Sequence, residues 1–575
     1  MPLDIVMPKL GLTMSEGLVV EWKKKEGDTV KKGDILFVLE TEKVTYEVEA
    51  PEDGVLGKVL VQAKETVPVG AVVALLLRAG EKDVKIPAPG PASQQKPPVP
   101  SKTPQISQPA ATAGKQEGKM KLTIIGGGVG GYPAAIRAAR MGAEVTIIEN
   151  DALGGTCLNW GCIPTKALLH SASIVATIKH SEAFGIRNKG YEIDFSAVMK
   201  RKNAVVSQLC NGVKSLLTAK KVKIVKGTAE FVDSKTVQIV ETGEKIVADK
   251  ILIASGSKAG KIPIEGLDSP DVMDSNQVLT MVSLPKSVII IGGGVIGVEF
   301  AQFLKGMGVE VTILELMPNL IPGLDREIAV ALEKTVVASG VKVITRAAVK
   351  GIGGKAGQKK VRYAIEDKEA ECTAEKIIMA VGRKPDFSSL KVDKVGIACE
   401  RGAIVVNERM ETNVPGIYAA GDVIGGVMLA HVASAEGECA VKNALGHGET
   451  MSYRAIPSCI YTTPEVASVG LTEEQAKKTY DIHIGRFPLR GNGKALILNE
   501  TEGMVKIIAD KKYGEVLGVH ILGPHATDMI SEAVLGMTME MTVEELAHAI
   551  HPHPTVSESI MEAALTIAGG AIHMP

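Results

Sequence analysis

The chain has 575 residues, 45% of them hydrophobic, and its 65 Lys and Arg almost cancel its 66 Asp and Glu. That is several domains' worth of sequence with ample material for cores, and the charge balance excludes the basic excess on which nucleic-acid or anionic-membrane binding relies. The opening "MPLDIVMPKLGLTM" lacks the regions of an export signal, the longest apolar stretch, near Val288 to Val298, is Gly-rich and closed by Glu299, and 7 cysteines are scattered, so a cytoplasmic, reducing setting without a membrane span is expected.

Residues 1–78 repeat themselves. Gly17, Thr29, Val30, Gly33 and Leu39 recur as Gly54, Thr66, Val67, Gly70 and Leu76, beside alternating apolar runs such as "ILFVLE" and "VVALLL". The pattern predicts two similar small antiparallel sheets packed face to face. Their joint, "ETEKVTYE", puts Lys43 at an exposed turn beside Glu40 and Glu42. From "MPKLGLTMSEG" through "GDTVKKGD" and "ETEKV" to "APEDGVL", the segment resembles lipoyl domains, and Lys43 matches the lysine that carries lipoate in them. Biotin-carrier domains share that fold but usually flank their lysine with methionines, where this chain has Glu42 and Val44.

Residues 79–119 are rich in Pro, Ala, Gln and Ser and poor in large apolar side chains. Such a stretch cannot offset its ordering entropy by burial and reads as a linker. Its span would be about 35 Å as a flexible coil and at most about 125 Å as polyproline II.

After it, "KLTIIGGGVGGYPAAIRAARMGAEVTIIEN" runs an apolar strand into Gly126, Gly128 and Gly131, then a helical stretch, then a strand ending at Glu149. The glycines allow a tight turn and close approach to a pyrophosphate at a helix start, and the acid can accept from ribose hydroxyls. About thirty residues on, "GGTCLNWGCIPTK" holds Cys157 and Cys162. Zinc binding, a structural bridge, two inert thiols and a redox disulfide are the readings of such a pair. The spacing is not a usual zinc spacing, and no second Cys/His cluster accompanies it. A regular helix separates positions i and i+5 by about 7.5 Å along its axis, more than a disulfide spans. If the two bond, Cys157 must therefore lie in a distorted first turn or the preceding loop, and a helix start would favour a Cys162 thiolate.

The fingerprint recurs in "SVIIIGGGVIGVEFAQFLKGMGVEVTILEL", with Gly292, Gly294, Gly297 and Glu315. Two dinucleotides are implied. The cysteines follow the first unit, which makes a flavin the expected occupant there. Glu315 would repel a 2′-phosphate, so the second site should prefer NAD to NADP.

From about Lys119 onward, "GGTCLNWGCIPTKALL", "ILIASGS", "AVGRKPD", "TNVPGIYAAGDVIGGVMLAH" and "HPHPTVSE" resemble the dihydrolipoamide dehydrogenases, flavoprotein disulfide oxidoreductases. The resemblance implies a redox-active disulfide, with Cys157 as the thiol that meets substrate and Cys162 as the thiol facing FAD. It makes Lys166 the lysine beside the flavin ring and Glu299 its acidic partner, at the border of the NAD site. Ser255, Gly256 and Ser257 in "ILIASGS", Asp422 in "YAAGD", and Met428, Leu429, Ala430 and His431 fall on FAD-lining positions. By a looser alignment so does Ala229, while Val349 and Gly382 fall on the NAD side. His553 and Glu558 match the catalytic histidine and the carboxylate that orients it; His551 has no assigned role. Trp160, Val129 and Ser255 depart from the commoner pattern, where a small aliphatic residue, Pro and Thr are usual.

The expected architecture is multidomain. An all-β lipoyl-type flattened barrel or sandwich (1–78) and the linker (79–119) precede two α/β Rossmann-like domains, for FAD (120–265 and 386–455) and for NAD (266–385), and an α+β dimerisation domain (456–575). The implied activity is oxidation of dihydrolipoyl groups with reduction of NAD, by a homodimer that works with the dihydrolipoyl acyltransferase of a 2-oxoacid or acetoin dehydrogenase complex, with covalent lipoate on Lys43. Its rivals are a glutathione-like flavin reductase, a mercuric reductase, and a non-catalytic lipoyl-bearing assembly component. "TILELMPN" lacks the basic residues of an NADPH site, no cysteine precedes Cys157 or follows Cys459, and scaffolding requires neither the thiol pair nor His553.

Overall fold

The computed structural model describes residues 3–8, 16–40, 45–68, 70–77 and 119–574. The chain forms two compact units, residues 1–113 and 114–575. Lys43 and nearly all of the expected linker lie outside the described residues.

In the first unit two four-stranded antiparallel sheets share one core. Leu3–Val6, Val72–Leu77, Gly54–Val59 and Thr29–Val30 form one sheet, and Thr45–Glu49, Ile35–Glu40, Glu16–Trp22 and Thr66–Pro68 the other. Ile5, Val30, Leu56, Val73 and Leu76 of the first meet Val19, Phe37 and Leu39 of the second. The two sheets cover each other's apolar faces as expected, but each takes strands from both halves of the repeat, so the halves interleave rather than forming one sheet apiece.

The second unit is organised by three five-stranded sheets. In the first, all strands are parallel, in the order Lys223–Lys226, Glu144–Glu149, Lys121–Ile125, Lys250–Ile253, Ile417–Ala419. The central strand is buried through Leu122, Thr123, Ile124 and Ile125, as expected of a parallel strand covered on both faces. Helix Tyr132–Arg140 follows, with proline in its first turn, where the missing N–H costs nothing, and buries Ala134, Ala135 and Ala138. Strand Ile417–Ala419 joins this sheet only after the chain has built the second one.

That second sheet is also parallel, ordered Val272–Met273, Lys376–Met379, Ser287–Ile291, Glu310–Leu314, Lys342–Ile344. Each of the two sheets is accompanied by a three-stranded antiparallel ribbon, within residues 229–247 and 347–374. The third large sheet is antiparallel, ordered Ser458–Ile460, Glu465–Gly470, Val516–Gly523, Met504–Asp510, Ile482–Pro488. Helices Ala526–Thr538 and Glu558–Ala568 share its core through Met529, Ile530, Ala533, Ile560 and Ala563.

A buried ion cluster ties the third sheet to the second. The Lys506 ammonium, 1% exposed, donates to Asp325 at 2.9 Å and Glu473 at 2.7 Å and lies 3.1 Å from Glu327. Asp325 also caps helix Arg326–Ala338 through the Glu327 N–H and accepts from the Glu473 N–H. A cavity of 1160 Å³ opens beside this cluster, and none of the residues expected at the functional site lines it.

Candidate thiol and dinucleotide site

The two cysteines sit on separate helices. Left-handed Gly154 and Gly155 (φ +93° and +56°) start a short helix, Gly155–Asn159, which carries Cys157; Trp160 and Gly161 break it, and Cys162 opens the helix Cys162–Lys179. Cys157 therefore lies neither in a loop nor in the first turn of the long helix, as the spacing led us to expect, but in five helical residues of its own. The Asn159 amide holds that short helix by donating to the carbonyls of Leu153 and Gly155.

Both cysteines are thiols here, within hydrogen-bonding reach of one another. The two differ in acidity. The hydrogen bond from Cys157 and the charge of Lys166 outweigh burial and bring Cys162 down to about 7, whereas the same hydrogen bond and burial push Cys157 well above the ordinary thiol range. A thiolate at Cys162 also lies at a helix N-terminus, where the backbone dipoles favour negative charge. Trp160 is turned to the carboxylate of Asp151, to which its indole N–H donates at 2.8 Å.

One turn along the helix, the Lys166 ammonium donates to both oxygens of Glu299 at 2.9 and 2.8 Å. Glu299 comes from helix Val295–Gly306 of the second nucleotide-binding unit and is 4% exposed. The pair therefore joins the helix of the thiols to the second fingerprint.

The first cradle fits FAD. A Cβ at Gly131 would stand 1.9 Å from the Gly126 carbonyl oxygen and one at Gly126 2.1 Å from that of Ala254, so both positions require glycine for packing. At Gly128 the nearest atom a Cβ would meet is the Gly155 Cα, 3.6 Å away; this leaves space at the helix start for a pyrophosphate. Glu149 accepts from the N–H groups of Gly127 and Asp151, both at 2.7 Å, which fixes its carboxylate at the strand end.

Ser257 donates to Asp422, and Arg383 donates from Nε to Ser257 Oγ at 2.7 Å and from Nη2 to the Ser257 carbonyl at 2.6 Å. Ser255 donates to the Asp386 carbonyl, and Gly256 adopts φ +75°. Met428 and Leu429 lead into helix Ala430–Ala444, whose His431 ring lies 2.8 Å from the Pro457 carbonyl. Ala229 packs among Ile125 and Ile148, the last apolar residues of the two cradle strands. Val129 shares a core with Cys157.

The second cradle repeats the first and fits NAD. A Cβ at Gly297 would lie 2.0 Å from the Gly292 carbonyl oxygen, while at Gly294 it would meet nothing within 4 Å. Glu315 accepts from the N–H groups of Gly293 and Met317 and stays fixed where a ribose would lie. Val349 packs in the same core as Leu314 and Val381, and Gly382 turns with φ +91°. A Gly297→Ala change is expected to cost about 1–3 kcal/mol by overpacking and to weaken NAD binding, read by NAD titration and thermal unfolding; unchanged NAD affinity would show that this helix start does not hold the nucleotide.

At the far end of the chain His553 Nδ1 lies 2.9 Å from Glu558, whose other oxygen accepts from the Thr555 N–H at 2.8 Å. Partial burial raises the Glu558 carboxyl, but these two partners outweigh it and hold it below its ordinary range. The His553 side chain is 78% exposed, and among the described residues no hydrogen bond joins it to the thiols. His551 is instead buried against Glu532 at 2.8 Å, which holds it charged above its ordinary pKa.

The structure thus brings Cys157, Cys162, Lys166 and Glu299 together and sets His553 with Glu558 apart from them within one chain. Arg383 and Tyr461 were not singled out in the sequence. The first stands inside the quoted "AVGRKPD" and could have been noticed there; nothing local marks the second.

Residues 120–437 match the model of the pyridine nucleotide-disulphide oxidoreductases, 456–564 that of their dimerisation domain, and 3–76 a model described as biotin-requiring enzyme. A dihydrolipoyl dehydrogenase of Bacillus subtilis is 42% identical over 459 residues, 79% of this chain and 100% of that protein. One from Thermus scotoductus is 41% identical over 79% of this chain and 98% of its own. Among solved structures, the HOCl-induced flavoprotein disulfide reductase RclA of Escherichia coli superposes with TM-score 0.70 at 32% identity, over 77% of this chain and 99% of that one.

Proposed function

Because the chain belongs to the pyridine nucleotide-disulphide oxidoreductase family, we propose that it acts as a dihydrolipoyl dehydrogenase, with Cys157 and Cys162 as its redox pair. The observation that carries the assignment is the thiol pair itself, divided between two helices and unequal in acidity, beside a lysine bound to the second nucleotide unit. FAD in the first cradle would supply a two-electron acceptor for the pair, and NAD in the second the final hydride acceptor.

In the oxidised enzyme the two cysteines form a disulfide. His553, oriented by Glu558, takes the proton of one substrate thiol, and the resulting thiolate attacks Cys157 Sγ. Cys162 leaves as a thiolate, the form that the helix start and Lys166 stabilise. The second substrate thiol then attacks the first substrate sulfur, closes the lipoyl disulfide, and passes its proton to Cys157, which leaves as the thiol that its surroundings favour. Two substrate protons end on His553 and Cys157, and the electron pair on the cysteines. Ser257, Arg383 and Asp422 would hold the ribityl chain of FAD, and Glu149 and Glu315 would accept from ribose hydroxyls of the two dinucleotides.

His553 is exposed on the domain matched by the dimerisation model, which supports a homodimer in which each chain lends this histidine to the other's thiols. We assign 120–265 and 386–455 to flavin binding, 266–385 to NAD and 456–575 to the interface. The N-terminal domain, with Glu42 and Val44 in place of methionines, carries lipoate on Lys43. That lipoyl group either delivers itself to the active site or shuttles acyl groups inside a 2-oxoacid or acetoin dehydrogenase complex, and protein-bound dihydrolipoyl groups are the substrates of the cytoplasmic enzyme.

The test is anaerobic NADH formation from free dihydrolipoamide and NAD, with NADP in parallel. Turnover with NAD and not NADP is expected; no turnover by protein with flavin bound and both cysteines intact would sink the assignment.

A further inference from the structure

The segment from Pro457 to Pro464 is pinned along its length by side chains of both nucleotide-binding units. The His431 ring meets the Pro457 carbonyl at 2.8 Å. The Tyr461 N–H donates to Glu299 at 3.0 Å, and the Thr463 N–H and carbonyl both bond the amide of Gln302, at 2.7 and 3.2 Å. Glu299 and Gln302 lie on one helix of the second nucleotide unit, and His431 begins a helix beside the first. A backbone held by three side chains fixes where the Tyr461 ring points, and the Lys166 ammonium lies 4.7 Å from the centre of that ring.

We propose that Tyr461 is a positioning residue for Lys166: its ring, together with the carboxylate of Glu299, fixes the ammonium that faces the thiol pair. The proposal rests on the redox reading of Cys157 and Cys162 given above. Three things converge on one cation: both oxygens of Glu299, the N–H that aims Glu299, and an aromatic face. The last two come from the same residue. A lysine with four flexible bonds would otherwise have only the carboxylate to settle it, and an aromatic face attracts an ammonium beyond simple packing even where, as at Tyr461, the ring is 38% exposed. Tyr461 touches Lys166 and Glu299, so it acts on the thiols through them.

The groups that face Cys162 are Cys157 from the short helix, Lys166 from its own helix, Glu299 from the helix of the second unit, Arg383 from the strand Arg383–Pro385, and Tyr461. Only Lys166 and Arg383 among them are cationic, so after the hydrogen bond from Cys157 the place of Lys166 contributes to the thiolate's stability. The test is the rate of Cys162 alkylation by iodoacetamide in the reduced full-length protein, followed by mass spectrometry across a pH series. In the wild type the midpoint is expected at about 7. Tyr461→Leu should raise it by about half a unit, about threefold less thiolate below the midpoint, and Tyr461→Phe should leave it in place. An unmoved midpoint in Tyr461→Leu, or an equal rise in Tyr461→Phe, overturns the proposal.

Should Tyr461→Leu fail to fold, pentafluorophenylalanine at position 461 is compared with Tyr461→Phe. It preserves the shape and reverses the charge of the ring face, so the same rise is expected, and its absence counts against the proposal. The readout does not depend on turnover. Loss of the dihydrolipoamide assignment would appear as wild-type protein that alkylates as expected but forms no NADH.

Discussion

Replacing His553 with Gln is expected to lower dihydrolipoamide turnover by about 10²- to 10⁴-fold, the usual worth of a positioned general base, with both nucleotides still bound. The imidazole is held at one nitrogen by Glu558, whose carboxylate the Thr555 N–H fixes in turn, so the other nitrogen is left for a substrate thiol. Glutamine cannot accept a proton. The residue lies far out on the surface of a single chain, and its loss should not disturb the core. Stopped-flow reduction of the thiol pair by dihydrolipoamide isolates the step, and a rate within about tenfold of wild type would remove His553 from the base role. Coexpression with a Cys157→Ser chain adds a second readout: mixed dimers should regain one working site, because an intact histidine then meets an intact thiol pair. No recovery would mean that the histidine serves its own chain.

Lys506→Met is expected to destabilise the second unit by about 3–5 kcal/mol, the cost of leaving the buried Asp325 carboxylate without its cation. Lys506 and Asp325 are each 1% exposed, whereas Glu473 and Glu327 also pair with Arg486 and so keep a cation when Lys506 is lost. Burial alone would raise Asp325, but Lys506 and the Glu473 N–H hold it below its ordinary value of 3.8. Burial likewise would lower Lys506, but its three carboxylates hold it above its ordinary value of 10.5. The carboxylate's contribution is complete above its unfolded pKa and is lost as pH falls through the lower folded value. The ammonium's is complete below its unfolded pKa and is lost as pH rises through the higher folded one. The cluster therefore stabilises across the neutral range. Urea unfolding at neutral pH measures the loss, and a change under about 1 kcal/mol would show that solvent reaches the cluster and screens it.

What could be read from the sequence was local. The glycine fingerprints declare themselves because the atoms that exclude a Cβ at Gly131 and Gly297 belong to Gly126 and Gly292, five residues back. His553 and Glu558 were legible for the same reason. Lys506 and Tyr461 were not, since each takes its meaning from partners on distant segments, Asp325 and Lys166; Arg383 stands in a legible motif, but its bond to the distant Ser257 does not show there. The placement of Cys157 failed in between. The spacing correctly barred one continuous helix, but only the left-handed pair Gly154 and Gly155 shows that the preceding residues coil into a helix of their own.

The break at Trp160 and Gly161 has a consequence for the protein as an electrical object. Gly161 supplies no side-chain cap to the helix it begins, and the Cys162 sulfur stands at that end of eighteen residues. The exposed N–H groups of a helix start carry about half a positive charge. When the cysteines are bonded to each other, that charge meets a neutral sulfur; when they are reduced, it meets an anion. The first turn of the long helix thus faces a different charge according to the number of electrons stored in the site.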